Sequence, residues 1–285
     1  MSGTALQRLR ERRATVGSPL CLGIDPHPDA LPDGLSPTVD GIEAFARGLI
    51  EAATPHACAV KINVAFFEAF GSAGWAALER IRADVPGDLP CILDAKRGDI
   101  ATSAERYAAA LFGRLGADGV TVSPYLGEDA VEPFLATGDR LVYVLARTSN
   151  PSAGRFQSLV VDGEPIHLRV ARWAAERWTD GRVGLVVGAT APDELARLRD
   201  AVPGPAFLIP GVGAQGGDAG AAALAADGSW APGLVNVSRA IALASSGADW
   251  QTAAAAAASA HASLLGDAVL DSTASPVRTA KIGGI

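Results

Sequence analysis

The chain has 285 residues, 49% hydrophobic and 19% charged, which is enough apolar side chain for a large buried core and excludes disorder over most of its length. A formal net charge of −7 argues against an electrostatic footprint for nucleic acid or an anionic membrane, though a local basic pocket could still take a small anion. Cys21, Cys58 and Cys91 are odd in number, each within an apolar run, and lack the spacing of a zinc site or a disulfide framework; buried reduced thiols in a cytoplasmic protein are the expectation.

The N-terminus carries Arg8, Arg10, Arg12 and Arg13 before any apolar run, so it reads as a short basic helix and not as a secretory signal. Apolar, β-branched runs then recur at 20–25, 57–63, 90–96, 118–124, 140–148, 182–190, 206–212 and 233–241. Each is apolar on both faces, as parallel strands covered by helices are. Between them lie stretches rich in Ala, Leu, Arg and Glu with helical spacing, for example 41–53, 75–85, 165–178 and 192–202. Thr102 and Glu105 have the spacing of a capping box at one helix entry. Eight strand-then-helix units predict a (β/α)8 TIM barrel in preference to a doubly wound sheet, in a single domain spanning 1–285. Outside the count fall a polar loop after the fifth strand, an alanine-rich segment at 252–266 expected as a surface helix too short to span a bilayer, and a tail at 266–285 expected to be loose.

Charge collects where the strands end. Asp25 closes the first run, Lys61 and Asn63 the second, and Asp94 and Lys96 the third, with Asp99 just beyond. Alternation places Ile92, Asp94 and Lys96 on one face and Cys91, Leu93 and Ala95 on the other. In a barrel these strand ends meet at the C-terminal mouth, where active sites of this fold are built. Taken singly, Asp25 before Pro26 also fits a turn, Asp99 also fits a helix entry, and the lysines also fit structural ion pairs. After the seventh strand, PGVGAQGGD (210–218) holds Gly211-x-Gly213-x-x-Gly216, the spacing of a dinucleotide fingerprint. It comes too late in the chain, and the next strand ends in Asn236, Val237, Ser238 and Arg239 with no acid for a ribose. A glycine-rich phosphate cradle completed by Arg239 fits better than either that fingerprint or a plain glycine turn. His27, His56, His167 and His261 are scattered, so no metal site is expected.

Together DAKRGDI (94–100), Lys61, RTSNPSA (147–153), PGVGAQGG (210–217) and the late Ser-Arg resemble the orotidine 5′-phosphate decarboxylases in their longer bacterial form, from Asp25 to Arg239. The resemblance implies decarboxylation of orotidine 5′-phosphate to UMP with no cofactor and no metal. By position, Lys61, Asp94, Lys96 and Asp99 become an alternating charge array around the pyrimidine. Lys96 becomes the acid that protonates C6, and Asp94 stands against the departing carboxylate. Asp25 with Lys61 would contact the ribose, Ser149 the base, and Pro210 would line the site. Gln215 and Arg239 would hold the phosphate, next to Ser238, which stands where many members have glycine. Asp99 would reach into the neighbouring subunit of a homodimer, and Ser103, commonly threonine in relatives, would stand beside that subunit's ribose. Two other readings fit the residues less well: a metal-dependent sugar-phosphate decarboxylase or aldolase-like barrel, and a non-catalytic barrel that binds a phosphorylated ligand.

Overall fold

The structure, a computed structural model, describes residues 3–189, 192–213 and 216–274. Eight parallel strands close into a barrel: β1 (Leu20–Ile24), β2 (Ala59–Asn63), β3 (Cys91–Arg97), β4 (Gly119–Val122), β5 (Leu141–Arg147), β6 (Val183–Val187), β7 (Phe207–Ile209) and β8 (Leu234–Val237). Neighbours in the barrel are neighbours in sequence, and β1 closes on β8 with Leu20 opposite Val235. The eight strands are those expected from the apolar runs, most of them shorter. Helix α1 (Ala5–Val16) precedes the barrel, and the outer ring includes α2 (Val39–Ala53), α3 (Gly71–Asp84), α4 (Ala101–Ala108), α5 (Ile166–Arg177), α6 (Pro192–Ala201), α7 (Ala219–Ala226) and α8 (Trp250–Ala274).

Strand alternation divides the apolar residues between two cores. Outward residues such as Leu20, Leu22, Ile24, Leu93 and Val144 pack beneath the helices. Inward residues, among them Cys21, Ala59, Ile92, Tyr143, Val186 and Leu208, fill the barrel, and Ala5, Leu6 and Leu9 of α1 plug its lower end. Gly184 is small for a packing reason, since a Cβ there would lie 2.8 Å from the buried Tyr143 ring. The three cysteines are buried and unpaired. Desolvation pushes the thiols of Cys58 and Cys91 up to about 12, so they are inert packing groups at neutral pH.

The lower end is locked by charge. Asp118, 2% exposed, accepts from the Cys91 N–H at 2.9 Å and pairs with Arg8, with Arg82 at 3.3 Å and with Arg140 at 3.7 Å. The basic helix α1 is therefore a stopper, with its arginines directed into the barrel floor and onto neighbouring carbonyls.

Three local expectations change. Helix α4 starts at Ala101 after Ile100, with no side-chain cap, so Thr102 lies inside the first turn and forms no capping box. The polar loop after β5 contains a helical turn (Gly154–Gln157) and a small hairpin pairing Val160–Val161 with Glu164–Pro165. The alanine segment belongs to a 25-residue helix, long and apolar enough to cross a membrane by length and composition. It is no mere surface helix, because it packs against α2 and α7 with Ala254, Ala258 and Leu265 fully buried, and the Trp250 ring lies tilted against Phe45 at 5.0 Å. Residues 266–274, expected as loose tail, continue that helix, and 275–285 lie outside the described residues.

Candidate active site

At the upper end, Lys61 rises from β2 into the barrel with its side chain 5% exposed. Its Nζ donates to Asp94 Oδ2 at 2.8 Å and lies 3.8 Å from Asp25 Oδ1. Lys96 Nζ reaches the other oxygen of the same carboxylate, Asp94 Oδ1, at 2.6 Å. Burial works against charge on Asp94, but the two ammonium groups outweigh it and hold its carboxyl well below the usual range. Burial likewise opposes the charge on Lys61, and Asp94 with Asp25 overcomes it, so Lys61 is held above the ordinary lysine value. The mouth is thus a fixed alternation of cation and anion at neutral pH.

Alternation puts Lys96 on the face of Asp94, as found, but does not give its backbone conformation. The β3–β4 register shifts between Leu93 and Arg97, and Lys96 has a left-handed backbone with φ 46°. Its side chain is half exposed and its ammonium reaches Asp94. Beyond the bulge, Arg97 pairs with Glu68 and covers the Tyr107 ring at 5.5 Å, tying the strand end to its surroundings.

Lys61, Asp94 and Lys96 open onto a cavity of about 280 Å³, lined also by Ser149 and Pro210. The segment that carries Ser149 is held from behind by hydrogen bonds. Gln157 accepts from the Thr148 N–H at 2.9 Å and donates to the Thr148 hydroxyl at 2.8 Å, while Arg147 binds Glu194 of α6 at 2.6 Å. Gly188 leaves room for this segment, since a Cβ there would sit 3.0 Å from that of Ser149.

The glycine segment after β7 has φ 98° at Gly211, 84° at Gly213 and 75° at Gly216, values open to glycine and costly for other residues. A Cβ on Gly213 would come within 3.1 Å of Ala240, so this loop lies against the chain that follows β8. There Ser238 has a buried hydroxyl with no partner, and Arg239 is exposed with no side-chain hydrogen bond or ion pair among the described residues. Gln215 lies outside the described residues.

Two expected residues do not join the array within this chain. Asp99 is half-buried, its Oδ1 accepts from the Ile100 N–H at 2.8 Å, and it makes no ion pair among the described residues. Ser103 is exposed on α4. The sequence reading also missed two inward polar residues. Thr121 of β4 bonds to Asp94, and Asn236 of β8 is 6% exposed with a buried oxygen that has no partner among the described residues. Both are single polar residues at inward positions of otherwise apolar strands, a signal that was there to be used.

With this geometry in hand, the comparisons are specific. The orotidine 5′-phosphate decarboxylase / HUMPS family model matches residues 18–258. The chain is 51% identical over 244 residues to the orotidine 5′-phosphate decarboxylase of Roseiflexus castenholzii, covering 85% of this chain and 89% of that protein. It is 47% identical over 264 residues to the Bordetella pertussis enzyme of the same name, covering 90% and 95%. Among solved structures, the Leishmania donovani OMP decarboxylase superposes with a TM-score of 0.79 at 38% identity, covering 92% of this chain and 99% of that one.

Proposed function

Because this chain belongs to the orotidine 5′-phosphate decarboxylase / HUMPS family and converts orotidine 5′-phosphate to UMP, we propose that Lys61, Asp94 and Lys96 carry the reaction, with Lys96 as proton donor. The observation that supports this reading is the single buried carboxylate held between two lysines at the wall of the cavity.

The C6–carboxyl bond breaks with its electron pair left on C6, and CO2 departs. No covalent electron sink adjoins that carbon, so the developing charge must be met by preformed electrostatics. The Lys96 ammonium faces it, transfers a proton to C6, and recovers one from solvent. Asp94, locked in its ionised form, crowds the substrate carboxylate and favours its loss. One charge pair at ~4 Å contributes roughly 4 kcal/mol at an effective dielectric of 20, against the ~8–23 kcal/mol that enzymes remove from barriers. Binding of the distant phosphate supplies more: Arg239, the glycine segment from Gly211 to Gly217, and Gln215 hold it and fix the ring over Lys96. Ser149 and Pro210 bracket the base, and Asp25 with Lys61 takes the ribose. Ser238, turned toward Gly23 of β1, lies beside the phosphate arm.

The working unit is a cytoplasmic homodimer. Asp99 and Ser103 serve the partner's site, and the exposed apolar residues beyond the third to fifth strands support such a contact: Ile100 is 53% exposed, Tyr125 90% and Phe156 72%. Two measurements test this reading. Loss of the substrate's ultraviolet absorbance should proceed at an undiminished rate in EDTA; loss of activity on chelation would instead favour a metal-dependent decarboxylase. Mixing Lys96→Ala with Asp99→Ala, each inactive alone, should restore roughly a quarter of wild-type activity through hybrid dimers with one intact site. No recovery would remove Asp99 from the partner's site.

A further inference from the structure

Thr121 has no part in the reading above, yet its hydroxyl joins the two groups on which that reading depends. It is 1% exposed on β4. Its Oγ1 accepts from the backbone N–H of Lys96 at 2.9 Å and donates to Asp94 Oδ1 at 2.9 Å. The directions are fixed by chemistry, since the N–H can only donate and the ionised carboxylate can only accept. The hydroxyl's single proton is therefore committed to Asp94. Oδ1 receives Lys96 Nζ as well, so proton donor, carboxylate and threonine form a closed ring.

The ring sits where β3 breaks register and Lys96 adopts φ 46°, a conformation that costs free energy in a residue with a side chain. Such a backbone persists only when its surroundings hold it. Here the Lys96 N–H is turned to a neighbouring side chain, and Thr121 is the group that receives it.

We propose that Thr121 is a positioning residue for the decarboxylation: its hydroxyl couples the left-handed backbone of Lys96 to the carboxylate of Asp94, so that ammonium and carboxylate hold one geometry before substrate arrives. This rests on Lys96 being the proton donor. Misplacement of a reacting group by about 1 Å costs on the order of 100-fold in rate, whereas substrate affinity depends mainly on the phosphate and ribose contacts. The loss should therefore fall on kcat and spare KM.

The test compares Thr121→Val, which keeps the shape and removes both hydrogen bonds, with Thr121→Ser, which keeps the hydroxyl. The valine variant should lose about 10- to 100-fold in kcat with KM for orotidine 5′-phosphate changed less than about threefold, and the serine variant should retain kcat within about threefold. Thr121→Ala serves the same comparison if the valine variant does not fold. A valine or alanine variant with wild-type kcat, or a serine variant as slow as valine, overturns the proposal. Lys96→Ala run alongside separates the two ideas. Turnover retained by Lys96→Ala would defeat the proton-donor reading itself. An inactive Lys96→Ala beside a fully active Thr121→Val would defeat the role of Thr121 alone.

Discussion

Each end of the barrel buries one aspartate among cations, and the two are built for different ends. At the floor, Asp118 is enclosed by Arg8, Arg82 and Arg140 and by the Cys91 N–H, and it is almost wholly buried. At the mouth, Asp94 is held by Lys61 and Lys96 and faces a cavity of about 280 Å³. Arginine suits the floor because its planar group stays charged and bonds several acceptors at once: Arg82 also donates to Gly116 O, and Arg140 to Ala117 O. Lysine suits the mouth because its point charge can give up a proton. On the proposed reading, what separates the two carboxylates is that a cation beside Asp94 can give up its proton and reaches open space.

Substitutions can break this contrast or sharpen it. Away from the catalytic array, the largest effect belongs to Asp118→Ala. Removing an anion shared by three arginines should cost about 3–5 kcal/mol in denaturant unfolding, while the protein that remains folded keeps kcat/KM within about twofold. A comparable loss of activity in folded protein would mean that the floor is not separate from the mouth. Next comes Arg239→Ala, which removes an exposed cation with no ion pair among the described residues. It should leave stability unchanged and lower kcat/KM about 10- to 100-fold, with no added loss on a substrate that lacks the phosphate. An unchanged value would place the phosphate elsewhere.

The smallest effect is in pH dependence. The folded pKa of Asp94 lies below its unfolded value, so its contribution to stability is complete above about pH 4 and is lost as pH falls through the folded value. That of Lys61 lies above its unfolded value, so its contribution is complete below about pH 10 and is lost at higher pH. The difference in urea midpoint between wild type and Asp94→Asn should therefore be constant from about pH 5 to 9 and shrink below about pH 4. A difference that grew on acidification would reverse the sign argued here.

Much of this was legible in the sequence, for identifiable reasons. Parallel strands covered on both faces leave continuous apolar runs, so all eight appeared near their observed places. Charges that end such runs had to meet at one rim, so Lys61 and Asp94 were legible as neighbours. Alternation also put Asp94 and Lys96 on one face, where they pair, but the register shift and left-handed backbone at Lys96 were not legible, because strict alternation has no place for a bulge. Nor was the partnership of Asp118 with three arginines from distant segments, since ion pairs across the barrel floor leave no periodic trace. The capping box at Thr102 failed because the entry to α4 is set by the left-handed Ala101, φ 46°, and not by local capping chemistry.

On the reading proposed above, Lys96 stands at the mouth for proton delivery and, being half exposed, adds little to holding the fold together. Lys96→Ala tests it most directly, with turnover of orotidine 5′-phosphate and thermal unfolding measured on the same preparation. A loss of about 10⁴-fold in kcat is expected, with Tm unchanged within about 2 °C. Retained turnover, or a Tm that falls as it does for Asp118→Ala, would contradict it.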